Sequence, residues 1–290
     1  MKTTTAASTG KFKQTVRVFF SRGIIVKICF GIIVLFILAA IFAPVLTPYA
    51  PEEQALLDKL QGPSAEHLLG TDTLGRDLLT RILFGARISL LSSVLSSLIA
   101  AAIGTFLGLI AGYFGGVLSQ FIMRVIDAQL SIPPLVLTMV LAMVFGGGVT
   151  GVSIVIGLSM FPSYTRVSYG MVLSLRENDY VTAARLVGQS QRKILFKHLL
   201  PNCFPSLIVM FTMNLGTAIM LEASMSYLGV GITPPTPAWG SMVSEGYKCL
   251  LTNPMVAILP GICVILVVVA FNIVGDGLRD AIDPRLRGKL

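Results

Sequence analysis

The chain has 290 residues, of which 54% are hydrophobic and only 12% charged, with a net charge of +8 and a mean hydropathy of +0.82. Soluble surfaces carry roughly twice that charge, so an ordinary soluble domain is excluded and the chain belongs in a bilayer. The basic balance fits Lys and Arg retained on the cytoplasmic side of a membrane protein, and a nucleic-acid partner is not expected.

A spanning helix needs about 20 predominantly apolar residues. Six such blocks occur, at 24–46, 88–112, 122–146, 150–173, 205–230 and 254–275, and they predict an all-α membrane protein with six transmembrane helices. A transmembrane barrel would show shorter alternating segments, which runs such as ICFGIIVLFILAAIFA contradict. The first block follows Lys11, Lys13, Arg17 and Arg22, as a secretory signal would. Its apolar core is longer than a signal peptide's and no clear cleavage site follows, so it is expected to remain as an anchor.

Lys and Arg cluster before and at the start of block one (Lys2, Lys11, Lys13, Arg17, Arg22, Lys27), in 174–200 (Arg176, Arg185, Arg192, Lys193, Lys197) and in the tail (Arg279, Arg285, Arg287, Lys289). These lie on one side if both termini are cytoplasmic. The chain then divides into a cytoplasmic tail (1–23), span one (24–46), an extracytoplasmic segment (47–87), a core of five spans (88–275) and a cytoplasmic tail (276–290).

In the extracytoplasmic segment, Gly70, Gly75 and Arg76-Asp77 read as a polar turn leading into a helix that Asp72 or Thr73 caps. Arg76 and Asp77 either contact a partner chain or belong to a solvated loop. Farther on, Arg124 and Asp127 stand at i and i+3, which predicts a structural ion pair on one helix face. Pro133-Pro134 predicts a kink in the third span.

The stretch YVTAARLVGQSQRKILFKHLLPN, residues 180–202, is far more polar than its neighbours and predicts a helical hairpin over 178–201. Asn178 or Asp179 caps the first helix and Gly188 closes it in a left-handed turn; the second runs from about Ser190 to Leu200 and stops at Pro201 and Pro205. Ala183 and Ala184 offer a small face, and Ile194, Leu195 and Leu199 an apolar one. Such a hairpin fits either a docking surface or an amphipathic element lying on lipid headgroups with Arg192, Lys193 and Lys197 snorkelling.

Glu222 is a carboxylate well inside span five, where an unpaired charge costs several kcal/mol. It either lines a pathway or locks a dimer, and Ser224, Ser226 and Tyr227 follow it on the same helix as pathway or interface candidates. The run TPPTPAWG, 233–240, predicts a stiff external loop, with Trp239 an interface anchor or the loop a receptor for a soluble protein. Asp276, Arg279, Asp280, Asp283 and Arg285 form an alternating-sign helix end of structural character. The four cysteines (Cys29, Cys203, Cys249, Cys263) make no C-x-x-C pair and read as packing residues, and His67 and His198 are too far apart for a local metal motif, so no metal site is assigned.

The hairpin resembles the EAA loop of the binding-protein-dependent ABC importer permeases. Thr182-Ala183-Ala184, Gly188, His198 and Leu200-Pro201 fall in the positions of that pattern, with Thr182 replacing the usual glutamate and His198 a usual apolar residue. Four more segments resemble the C-type subunit of the dipeptide, oligopeptide and nickel importers: HLLGTDTLGRDLLTRILFGARISL (67–90), RVIDAQLSIPPLVL (124–137), LEASMSYLGVGITPPTPAWGSM (221–242) and GDGLRDAIDPRLR (275–287). The resemblance implies a type I ABC importer permease in a bacterial or archaeal cytoplasmic membrane. Its partners would be a second, different permease subunit, two cytoplasmic P-loop ATPases holding ATP and Mg, and an extracytoplasmic binding protein. The substrate it implies is a short peptide, with nickel or a nickel complex second.

The phosphate cradle G-x-x-x-x-G-K-[ST] is absent, so no cofactor is expected on this chain and no enzyme activity. The alternative reading is an ion-coupled secondary transporter using Glu222 and Asp127, against which stand the few spans and the absence of a visible inverted repeat.

Overall fold

A computed structural model describes residues 18–21 and 23–282. Among the described residues the fold is helical, with one isolated β-bridge between Thr71 and Asp77. The helices are α1 (Ile24–Leu46), α2 (Leu78–Phe114), α3 (Gly116–Leu130), α4 (Pro134–Phe145), α5 (Gly148–Leu175), α6 (Asp179–Leu186), α7 (Leu200–Tyr227), α8 (Trp239–Tyr247) and α9 (Met255–Ile282). Five helical runs are long and apolar enough to span a membrane, and α3 with α4 makes a sixth if that pair, bent by 99°, counts as one broken span.

The third span is therefore not a kinked continuous helix. Pro133 sits at the N-cap of α4 and Pro134 in its first turn, where a missing N–H costs least, so the proline pair starts a helix instead of bending one. The second helix also departs from expectation. It begins at Leu78, because Asp77 accepts from Thr80 N at 2.7 Å, which makes Asp77 the cap in place of Asp72 or Thr73.

Two cores carry the packing. One joins α2 and α5 to α7 and the residue 180–200 hairpin, and includes Val155, Ile156, Tyr164, Val181, Leu199 and Cys203. The other joins α1, α8 and α9 to the first turns of α2 and the middle of α7, around Ile219, Trp239, Val267 and Phe271. α2 meets α5 along Gly104, Gly108 and Gly112, where an added Cβ would stand 2.4 Å from Phe161 O, 2.5 Å from Ser168 Cβ and 2.7 Å from Val172 Cβ. Small residues at four-residue spacing let two backbones approach this closely, and in a bilayer van der Waals contact of that kind holds helices together.

Trp239 is not an interface anchor. It is fully buried, donates from Nε1 to Ile82 O at 3.1 Å and stacks edge-on with Phe36 at 5.5 Å. Gly85 makes room for it, since a Cβ there would lie 3.0 Å from Trp239 Cδ1. Thr233, Pro234 and Pro235 are exposed, and the chain dives inward from Pro237. Cys29, Cys203 and Cys249 are buried and Cys263 is half-buried, all free thiols in packing positions. Asp276, Arg279 and Asp280 lie in the last turns of α9, while Asp283 and Arg285 fall outside the described residues.

Candidate functional site

Two helical arms joined at Gly188 make up the hairpin. Asn178 holds the N-cap position of α6 through its backbone, its carbonyl accepting from Val181 N and Thr182 N, without a side-chain bond. At the other end Gly188 has φ of 75°, Gly188 N donates to Arg185 O at 2.9 Å and Gln189 N to Ala184 O at 3.1 Å. These two bonds across a left-handed glycine satisfy carbonyls that the helix end would otherwise leave open.

The second arm does not stop at Pro201 and Pro205. A helical turn at Gln191–Lys193 passes into a π-helical stretch, Ile194–Leu199, and then straight into α7. The π stretch puts Pro201 in the first turn of α7, where its missing N–H removes no bond of the α-helical ladder. The arms are tied by His198, whose Nε2 lies 2.8 Å from Gln189 Oε1, and Asn202 Nδ2 donates to His198 O at 2.6 Å.

The apolar face expected outward is turned inward. Ile194, Leu195, Leu199, Val181 and Ala184 are buried against the chain's own core, and Leu200 is half-buried. Thr182, Ala183, Gly188 and Pro201 remain exposed, and the apolar side chains at the tip are Leu186 and Val187, 83% and 80% exposed. Basic Arg185, Arg192, Lys193 and Lys197 are also exposed on the hairpin. Leu186 and Val187 escaped the sequence reading because they stand at the very end of α6, as its last residue and C-cap, where periodicity no longer assigns a face.

Glu222 faces the interior of its own subunit. It is fully buried, its Oε1 accepts from Ser226 Oγ at 2.8 Å, and Ser226 Oγ in turn accepts from Ile232 N at 2.9 Å. Neither an open path nor a surface for another chain reaches the carboxylate here. Ser224 and Tyr227 point elsewhere, into a groove of about 430 Å³ also lined by Leu135, Gly240 and Gly261. The four candidates on α7 thus divide between a buried brace and an open groove.

The ion pair expected between Arg124 and Asp127 does not form. Asp127 accepts from Arg166 Nη2 of α5 at 2.5 Å, both side chains being about half exposed, while Arg124 points outward. The i, i+3 spacing lets two residues share a face, but α5 packs beside α3 and offers a closer cation.

At the opposite end of α2, a buried charge cluster replaces the expected solvated loop or partner contact. Asp72 accepts from Arg76 Nε at 2.6 Å and pairs with Arg81, whose Nε lies 3.4 Å away, and Glu245 of α8 accepts from Arg76 Nη2 at 2.9 Å and Arg81 Nη2 at 3.5 Å. Arg81 Nη1 also donates to Pro51 O at 2.9 Å, and His67 Nδ1 lies 3.0 Å from Asp77 Oδ1. Gly75, φ 74°, lets this loop close, since a Cβ there would lie 1.8 Å from Ala55 O. No grouping of three or more His, Cys, Asp or Glu suited to a metal occurs among the described residues.

Comparison with known proteins bears on this arrangement. Residues 104–288 match the family described as binding-protein-dependent transport system inner membrane component, and residues 13–63 match the N-terminal TM domain of oligopeptide transport permease C. The chain is 43% identical over 270 residues to the glutathione transport system permease protein GsiD of Salmonella paratyphi A, covering 93% of this chain and 89% of that protein. It is 42% identical over 257 residues to GsiD of Escherichia coli O6:K15:H31, covering 88% and 85%. In fold it is similar to a chain of the MetNI methionine ABC transporter in an inward-facing conformation, with a TM-score of 0.57 at 19% identity over 70% of this chain and 96% of that one.

Proposed function

The chain belongs to the inner membrane component family of binding-protein-dependent transport systems, in the branch of dipeptide and oligopeptide permeases, and from that premise we propose that it forms half of the pore of an ATP-driven importer of short peptides, glutathione-like tripeptides among them. It is a multi-pass permease subunit of a bacterial inner membrane and not an enzyme. In this reading a second permease subunit of different sequence supplies the other half. Two cytoplasmic ATPases carry ATP and Mg, an extracytoplasmic binding protein delivers the substrate, and both termini are cytoplasmic.

The observation that carries the docking part is the exposure of Leu186 and Val187 at the tip of a hairpin whose other large apolar residues, except Tyr180, Phe196 and the half-buried Leu200, are buried. An apolar pair on a hairpin that also exposes Arg192 and Lys193 fits a cleft with an apolar floor and acidic rim, the kind of site an ATPase would offer. The hairpin also has the connections a lever needs. Its first arm follows α5 after a three-residue link, and its second continues unbroken into α7. Movement of the hairpin therefore turns two spanning helices, and access alternates as they rock.

The test is reconstitution in proteoliposomes with the partner subunits and binding protein. Uptake of radiolabelled glutathione or a tripeptide should require ATP and all subunits, and Leu186→Asp should release the ATPases while leaving the chain inserted. Uptake by this subunit alone, driven by an ion gradient, would overturn the reading in favour of a secondary transporter.

A further inference from the structure

We propose that Arg176 and Tyr113 are positioning residues that clamp the hairpin to the end of α2, so that force arriving at the hairpin tip turns α2 and α5 as a single body. The proposal rests on the docking reading above and adds the route by which force leaves the hairpin.

The last four carbonyls of a helix lack partners of their own and carry the negative end of its dipole, so a cation placed there is favoured. α2 ends at Phe114, and the carbonyl of Gly112 is one of those four. Arg176, the C-cap residue of α5, donates to Gly112 O from Nη1 at 2.9 Å, and its Nε bonds Glu177 Oε1 at 3.0 Å. The guanidinium is less than one-third exposed and is held from both sides.

One residue farther along α2, the ring of Tyr113 lies beneath the guanidinium of Arg185, 5.2 Å from its centroid. Arg185 belongs to α6, one residue before Leu186 at the tip. A cation over an aromatic face contributes about 0.5–1 kcal/mol at an exposed site. Two contacts thus bracket α6, one at the link before it and one near its end, and both land on consecutive residues of α2.

Above the clamp α2 cannot slide past α5. Gly104, Gly108 and Gly112 let the two backbones touch over about two turns, and any Cβ on that stripe would collide with α5. The seam continues to Ser92, whose Oγ lies 3.3 Å from Ser153 Oγ. A force applied through Arg176 and Tyr113 therefore moves a pre-assembled pair of long helices, while the second arm moves α7.

The experiment uses the complete reconstituted transporter. Arg176→Ala and Tyr113→Leu should retain bound ATPases and hydrolyse ATP, but move about tenfold less labelled glutathione per ATP, and Tyr113→Phe, which keeps the aromatic face, should restore the ratio. A second readout needs no substrate: spin labels at Asp179 and Phe106, with Cys29, Cys203, Cys249 and Cys263 replaced by alanine. Their separation should be narrow and equal with and without trapped ATP in the native sequence and broaden in both variants. A native ratio in Arg176→Ala and Tyr113→Leu, or a broad separation in the unclamped and native proteins alike, overturns the proposal. If Leu186→Asp keeps its ATPases, the docking reading falls, and the label separation still decides the clamp.

Discussion

His198 Nε2 and Gln189 Oε1 meet at 2.8 Å across the turn of the hairpin, joining a residue just past Gly188 to one in the π-helical arm. With Oε1 as acceptor the imidazole carries its proton on Nε2, and the bond helps fix the spacing of the two arms, which also meet where Asn202 Nδ2 donates to Tyr180 Oη at 3.4 Å. His198→Ala should lose about 0.5–1.5 kcal/mol of hairpin stability and speed amide exchange over 187–193 without expelling the chain from the membrane. Unaltered exchange in that segment would remove this bond from the hairpin's support.

Gly188 offers a separate test, because its cost is purely conformational. A Cβ at that position would find nothing within 4 Å, yet φ is 75°. A β-branched residue in the left-handed region costs at least about 1–2 kcal/mol, whereas asparagine visits it readily. Gly188→Val should therefore abolish uptake at normal insertion and Gly188→Asn should retain most of it. Equal uptake by the two variants would show that the turn geometry does not matter to function.

The buried cluster at the far end of α2 predicts a large effect from a small change. Asp72 Oδ1 accepts from Leu74 N and Arg76 N and Oδ2 from the Arg76 side chain, and Arg81 Nε pairs with Oδ2 at 3.4 Å, with all three charged side chains 3% exposed or less. Asp72→Asn leaves two buried guanidiniums facing Glu245 alone and should lower stability by about 3 kcal/mol, read as a fall in Tm of the purified subunit. Raising the ionic strength should change the native Tm little, since buried pairs are screened weakly.

What the sequence makes legible here is what depends on neighbours along the chain. Long apolar runs reveal the spans, and the Gly188 turn follows from a local demand for positive φ. What it hides depends on partners far away. Arg81, within the 47–87 segment, reads as a loop charge until Asp72 and Glu245 are seen to neutralise it, and so α2 runs on from its Asp77 cap instead of starting near residue 88. Asp127 prefers Arg166 on another helix to Arg124 on its own, a choice made by the packing of α5. Pro201 fails to stop the second arm because a π-helical stretch sets it in the first turn of α7, a register that hydropathy does not encode.

Glu222 illustrates the same point and yields the last prediction. Sequence position alone leaves open a carboxylate that lines a pathway and one that locks a dimer, but the side chain is buried and its hydrogen bond to Ser226 continues to Ile232 N. Gly231 sits so close that a Cβ would stand 2.5 Å from Ser226 N, so α7 and the loop after it are held in one fixed arrangement. Ser226→Ala should strand the buried Ile232 N–H at a cost of about 1–3 kcal/mol, and Glu222→Gln, which keeps an acceptor for Ser226, should cost less than about 1 kcal/mol. Thermal melting of both variants checks the order, and uptake of lysine-containing against neutral tripeptides checks the role. Glu222→Gln should leave that preference unchanged, and a shift toward neutral peptides at native stability would return Glu222 to the translocation path.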